Sequence, residues 1–350
     1  MVLARAALPI LAIGVFGLTT LAIVASANGT WGYDYEAYAH AAQRLLDGQP
    51  LYDPSVDLAG GFAIFLYPPP FAVALVPFAL LGEPAGLVAW TALLIACVVG
   101  GIALMPVSVS LRWLMLLLAA IDWPVLYSLK LGQVGPILLL LFVLGWRWLE
   151  QPLRLGTTIA IGTLIKIQPA LLGVWAVLTG RTWAAVVAVA IVVATVLVTL
   201  PLVGFGAWSD YVALLRTVSQ PVTTPHNFTP GAVLYQAGVE AGTATIIQWF
   251  VVAATLALLV VAARALLAEA SFMVAVVATQ LISPLLWDHY AVVLLVPAAW
   301  LMSRGARWAV AIPLATSLPL LPIAPAAIYP LVFGVTLLAP FTERRGVATA

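Results

Sequence analysis

What this chain lacks above all is charge. Asp, Glu, Lys and Arg make up 8% of its 350 residues, against about a quarter in soluble domains. That scarcity excludes an ordinary soluble enzyme, because apolar runs follow one another too closely for a soluble domain of useful size to fit between them. Cysteine is scarcer still. Cys97 is alone, so no intramolecular disulfide can form. Histidine occurs only at His40, His226 and His289, too scattered for a recognisable metal-ligand signature. No metal, other cofactor or nucleic-acid partner is expected.

What the chain has instead is hydrophobic length. Apolar residues make up 64% of it, and many runs reach the ~17–25 residues needed to cross a bilayer core. The expected fold class is all-α, a polytopic membrane protein of about twelve transmembrane helices. The run 6–25 reads as a first span. Arg5 before it and Ala25-Ser26-Ala27 after it also fit a cleavable signal, although the run exceeds the usual ~7–15-residue signal core. Residues 68–81 are short and Pro-rich, which predicts an outer interfacial or re-entrant helix. Further spans are expected near 86–104, 111–128, 134–149, 182–203, 244–264, 271–286, 290–303, 307–322 and 326–341. Residues 155–179 read as a pair broken at Lys166-Ile167-Gln168-Pro169.

Charge gives this layout its orientation. It places ten arginines (Arg5, Arg112, Arg147, Arg154, Arg181, Arg264, Arg304, Arg307, Arg344 and Arg345) against three glutamates on one side. By the positive-inside rule that side is cytoplasmic, and both termini lie there. The remaining charges, ten carboxylates against four cations, fall outside or within spans. The chain then reads as one transmembrane domain in three parts: a core module at 1–203, an outer loop at 204–243 and C-terminal helices at 244–350.

Four polar stretches interrupt the apolar sequence, and all four map to the outer face. In the first outer loop, 28–67, residues 34–47 predict an amphipathic helix with Tyr38, Ala41, Ala42, Leu45 and Leu46 along one stripe. Gly48 and Pro50 stop it. Such a helix should lie on the membrane with that stripe down. Asp34 and Glu36 open it among aromatic rings; Asp34 is equally readable as a helix cap. The second stretch, Lys130-Leu131-Gly132-Gln133-Val134-Gly135, offers an amide beside glycines that allow close approach. Asp122, an acid within a span, precedes it, with Lys130 as a structural partner or a functional role as alternatives. The third is the break at Lys166, where a cation needs an anion or water. The fourth is Ser283-Pro284-Leu285-Leu286-Trp287-Asp288-His289-Tyr290, in which Asp288 is placed to orient or neutralise an imidazole. The loop 204–243 adds His226, Asn227 and Arg216.

Together these segments resemble a known family. Asp34-Tyr35-Glu36-Ala37-Tyr38, continuing through Leu45-Leu46-Asp47-Gly48 to Leu51-Tyr52-Asp53, is similar to the first outer loop of glycosyltransferase family 87. Tyr67-Pro68-Pro69, Gly132-Gln133-Val134, Lys166-Ile167-Gln168-Pro169 and Ser283-Pro284 with Trp287-Asp288-His289 follow in the same order, over residues 1–303. Gly135, Leu286 and Tyr290 depart from the residues common in the family.

The resemblance implies a GT-C fold with an outer layer of interfacial helices, in the cell membrane. It implies a transferase that takes a sugar, typically mannose, from a polyprenyl-phosphate donor. The acceptor would be a glycolipid or cell-envelope glycan, and the active site would be extracytoplasmic. Asp34 matches the family's catalytic aspartate. Lys166, Arg44 and His289 are the cations expected at the donor phosphate, with Lys130 and Arg216 behind them. Glu36, Gln133, Asp288 and His226 are expected at the sugar or acceptor. A polyprenyl-phosphate-arabinose transferase fits the same residues. Broken helices carrying intramembrane Asp and Lys also describe secondary transporters, but no internal duplication accompanies them here. A non-catalytic scaffold would leave the acidic–aromatic loop unexplained.

Overall fold

Proline and glycine decide where the helices of this chain start and stop. The structure, a computed structural model, describes residues 2–52, 64–218, 221–224, 226–318 and 325–345. Its helices are α1 (Val2–Ala25), α2 (Tyr33–Leu46), α3 (Pro69–Leu80), α4 (Ala85–Leu104), α5 (Val109–Ala119), α6 (Trp123–Leu131), α7 (Gly135–Arg147) and α8 (Pro152–Ile165). They continue with α9 (Leu171–Leu178), α10 (Thr182–Val218), α11 (Pro230–Gln236), α12 (Ala241–Ala265), α13 (Ala268–Leu281), α14 (Leu295–Ser303), α15 (Ala311–Thr316) and α16 (Pro325–Leu338). There is no strand among the described residues. Proline opens α3, α6, α7, α8 and α11 within the first two positions, where its missing N–H costs no helical hydrogen bond.

Among the described residues four helices are long and apolar enough to cross a membrane: 7–25 of α1, all of α4, 182–216 of α10 and all of α12. Counting α5 and α6, bent by 62° at residues 120–122, as one span gives five. Twelve long helices are therefore not what the apolar runs become. The breaks expected before Pro169, between 286 and 290 and between 303 and 307 are present, but several of the apolar helices beside them are only 10–17 residues long. The proposed loop at 204–243 is largely helical as well. α10 runs on to Val218 across a kink at Gly204, whose φ of 75° and ψ of 162° are open to glycine. The part of the first loop containing Asp53 and Asp57, and the end of the expected span 307–322, lie outside the described residues.

Burial separates the centre from the lipid-facing wall. In α13 every residue from Ala270 to Leu281 is buried, and the 3₁₀ turn 288–294 leading into α14 is almost as enclosed. A helix apolar on all sides belongs in the middle of a bundle. α10 shows the opposite: Val186, Val189, Val193 and Leu197 stand exposed on one face, a face suited to hydrocarbon.

The bundle has two chemically different ends. α7 starts at Gly135, packed against the backbone of His289, and by Gly145 it meets Phe272 near the start of α13. Arg147 lies at that second end, where Arg181 pairs with Glu150 and its Nε donates to the Leu149 carbonyl at 3.0 Å. Glu269 and Arg304 approach to 3.7 Å there as well. Gln133, Lys166 and Asp288 all fall at the opposite end. Arg147, Arg181 and Arg304 thus gather at one end of the bundle, away from Gln133, Lys166 and Asp288.

Candidate functional site

The site is assembled on the first turn of α2. Gly32 adopts the left-handed conformation and donates its N–H to the Lys130 carbonyl at 2.8 Å. Trp90 Nε1 donates to the Gly132 carbonyl at 2.7 Å. Gly132 has φ 75°, and a Cβ there would stand 2.9 Å from Tyr35 Cβ, so the turn and the helix are in near contact. The helix begins at Tyr33, which makes Asp34 its second residue. Gly32 is the cap and no side chain caps it. Capping is not the role the fold gives Asp34.

The remainder of α2 does not rest its stripe on lipid. Tyr35, Ala37, Tyr38, Ala41 and Ala42 are buried, against α3 and an aromatic cluster in which Tyr38 meets Tyr67, Phe71 and Trp90 at 5.0–5.7 Å. Leu46, at the end of the expected stripe, is 45% exposed. The alanines permit close approach, so protein covers the surface that hydropathy assigned to the membrane.

Asp34 lies on the inner side of this helix. Its Oδ2 is buried without a hydrogen-bond partner, an expensive state for a polar atom. Burial raises the Asp34 carboxyl above the ordinary aspartate range, opposed by His289, a hydrogen bond from Gln133 and the charge of Lys166. Gln133 is 2% exposed. Its Oε1 accepts from Val134 N–H at 3.0 Å and faces the Tyr67 and Tyr38 hydroxyls at 3.1 and 3.3 Å. Those two hydroxyls are 2.7 Å apart and share the proton positions between them. With Oε1 so occupied, the amide presents its N–H groups to Asp34.

Lys166 comes from the break that ends α8, in extended backbone. Its Nζ lies 3.7 Å from the centroid of the Tyr290 ring and 5.7 Å from that of Tyr67, a cation resting on aromatic faces. It acts on Asp34 through the field, without an ion pair between them. Gln168 Nε2 donates to Ser283 Oγ at 3.0 Å and ties this break to the one at 283–287.

From that second break comes His289, buried with both ring nitrogens unpartnered by hydrogen bonds. Its neighbour Asp288 is held twice. Oδ1 accepts the His289 backbone N–H at 2.9 Å and stands 3.7 Å from His289 Nδ1; Oδ2 accepts from Trp123 Nε1 at 2.7 Å. Trp123 stacks on Tyr127 at 4.8 Å, and Tyr127 lies 6.2 Å from His289. Trp123 was missed in the sequence, although its place after an intramembrane acid at a helix break was a usable signal. Asp122 itself does not pair with Lys130. It accepts from Thr316 Oγ1 at 2.9 Å and so fastens the α5–α6 bend to α15.

Asp34, Gln133, Lys166, Asp288 and His289, distant in sequence, are therefore neighbours. Three other expected site residues are elsewhere. Glu36 and Arg44 point away from Asp34 into a groove of about 430 Å³ on the opposite side of α2, together with His40. His226 is exposed, at a left-handed backbone position with φ 57°. The buried polar residue next to it is Asn227, whose Oδ1 accepts from Thr229 N–H at 3.1 Å and Leu286 N–H at 3.0 Å while Nδ2 donates to the Pro284 carbonyl at 3.0 Å. Asn227 thus fixes the segment preceding Asp288.

Chemically, the inner cluster combines one unpaired carboxylate oxygen, one ammonium and an imidazole without hydrogen-bond partners whose Nδ1 stands near Asp288. It can take a proton and hold an anion. Among the described residues no group of three His, Cys, Asp or Glu side chains is placed to bind a metal ion.

Comparison with known proteins places the chain in a family. No solved structure matches the chain. The chain is 30% identical over 201 residues to a polyprenol-phosphate-mannose-dependent alpha-(1-2)-phosphatidylinositol mannoside mannosyltransferase of Mycobacterium tuberculosis (strain ATCC 25618 / H37Rv). That match covers 51% of this chain and 46% of the relative, so the two correspond over about half the length of each. Residues 65–286, well over half the chain and including Gln133, Lys166 and Ser283, match the profile of glycosyltransferase family 87. The chain belongs to glycosyltransferase family 87.

Proposed function

We propose that this protein transfers a sugar, mannose, from a polyprenyl-phosphate donor to a hydroxyl of a glycolipid or cell-envelope glycan, at the extracytoplasmic face of the cell membrane. The observation that carries the reading is the unpaired, buried Oδ2 of Asp34, facing a site that also holds Lys166 and His289. The mannosyltransferase relative supports the donor class. The helical bundle with its chemistry at one end supports a GT-C arrangement, in which the shorter apolar helices complete the crossings beside the long ones.

Asp34 takes the proton from the attacking acceptor hydroxyl as its oxygen bonds to the anomeric carbon. The bond from that carbon to the phosphate oxygen breaks, and the electron pair leaves with the polyprenyl phosphate. Lys166 and His289 stabilise the developing phosphate charge. Gln133 orients the Asp34 carboxylate, and Asp288 orients His289. One base and one displacement invert the anomeric centre, so a β-linked donor gives an α-mannoside. The donor lipid approaches sideways from the bilayer, which accounts for an enzyme with so little soluble mass.

The test is transfer of radiolabelled mannose from polyprenyl-phosphate-mannose by the purified protein in lipid nanodiscs. The expected product is an α-mannoside, formed equally well in excess chelator. Loss of transfer in chelator with recovery on adding Mg²⁺ or Mn²⁺ would contradict the metal-independent mechanism. Transfer of arabinose alone would redirect the donor assignment.

A further inference from the structure

We infer that the groove on the outer side of α2 is a sugar subsite that holds a unit of the acceptor glycan remote from the reacting hydroxyl. This rests on the transferase reading above and adds a second binding surface to it.

Helical spacing makes the separation unavoidable. Residues 34 and 36 differ by about 200° around a helix with 3.6 residues per turn. Asp34 therefore shares the inner side with Tyr38, while Glu36, His40 and Gln43 form a stripe on the other, with Arg44 beside it. The cavity they border, about 430 Å³, falls within the range of about 300–1,000 Å³ typical of small-ligand sites. Its base is apolar and buried, made by Tyr52 and Phe65, with Tyr52 stacked on Tyr211 of α10 at 5.8 Å. Its rim is polar and open to solvent at Glu36, His40 and Gln43.

An aromatic base under a rim of amides, carboxylate and guanidinium suits a sugar ring, which has apolar C–H faces and an equator of hydroxyls. Glu36 and Asp47 stand beside Arg44 and His40 in the groove, so it offers no excess of positive charge to draw a phosphate. Among the described residues the Arg44 side chain forms no ion pair, hydrogen bond or ring contact, so its donors are available to hydroxyls. Arg44 thus moves from the donor phosphate, where the sequence placed it, to the acceptor.

The experiment compares octyl α-mannoside with its disaccharide and trisaccharide homologues as acceptors, using polyprenyl-phosphate-mannose and the full chain in nanodiscs. The wild type should prefer the longer acceptors. In Arg44→Gln, and separately in Glu36→Gln, the ratio of trisaccharide to monosaccharide kcat/KM should fall about tenfold, the worth of one hydrogen bond to a charged group. Both residues sit on the rim, and size-exclusion profiles verify that the variants fold. An unchanged ratio in both variants, or a wild type indifferent to acceptor length, would overturn the subsite. A raised donor KM in Arg44→Gln with the ratio intact would return Arg44 to the donor phosphate. If the wild type transfers no sugar to any of the three acceptors, the transferase reading fails and the subsite falls with it.

Discussion

The two sides of α2 carry similar residue types in opposite settings. Asp34, on the inner side, has a buried oxygen with no partner and a carboxyl pushed upward by burial. Glu36, two residues later, is exposed at the edge of a groove. Both are acids in one helical turn, next to tyrosines, and composition cannot separate them. The fold separates them through what each side meets. The inner side is closed by two helix breaks that bring in Lys166 and His289; the outer side is left open. A buried carboxylate near cations is set up for proton transfer and charge stabilisation. An exposed one is set up for binding.

The largest test of that contrast is substitution of the two acids in turn. Asp34→Asn should reduce turnover by roughly 10²–10⁴-fold, because asparagine keeps the shape and loses the proton acceptor. Glu36→Gln should cost far less and act on acceptor preference. If the larger loss followed Glu36 instead, the two sides would exchange roles.

Next in size is Lys166. Lys166→Ala should lower donor use by about 10²-fold, as expected when a group stabilising transition-state charge is removed. Lys166→Arg should retain part of it because the charge persists. The same variant sharpens the pH behaviour. Asp34 works ionised, so activity is lost as pH falls through its raised pKa, placing the acidic limb of kcat/KM above the ordinary aspartate value of about 3.9. Lys166 opposes that rise, so its removal should move the limb further up. A limb unmoved in Lys166→Ala would detach the lysine from Asp34.

Trp123 should give a smaller effect. Trp123→Phe keeps a ring against Tyr127 but removes the donor to Asp288, a bond worth about 1.5–3 kcal/mol to a charged acceptor. A fall in kcat of about tenfold is expected, with little change in donor KM. It should be non-additive with Asp288→Asn, since both act through the same contact. Additive losses would make Trp123 a packing residue only.

The smallest expected effect is on stability. Gly132→Ala forces a Cβ onto a positive φ and towards Tyr35, which should destabilise the protein by about 1 kcal/mol or more. A lowered Tm in detergent would report it, and an unchanged Tm would show that α2 and the Gly132 turn can part.

The order of polar motifs and the break at Lys166 were legible because proline and isolated charges stand out in an apolar chain. Helix lengths were not. The run 111–128 reads as one span by hydropathy, yet the chain bends at Asp122, whose fixed partners lie almost two hundred residues further on. The amphipathic stripe of α2 identified the helix, but hydropathy does not distinguish lipid from the apolar side of α3. Tyr38 and Tyr67 were visible as aromatics without any sign that their hydroxyls would meet over Gln133. His226 looked more chemical than Asn227, and only the tertiary packing shows that the asparagine is the anchored residue.

The most direct measurement is a structure of the Asp34→Asn protein with bound polyprenyl-phosphate-mannose. The account predicts phosphate density between Lys166 and His289, the lipid chain leaving sideways into the bilayer, and the anomeric carbon facing residue 34. Phosphate density in the outer groove against Arg44, with the inner cluster empty, would contradict it.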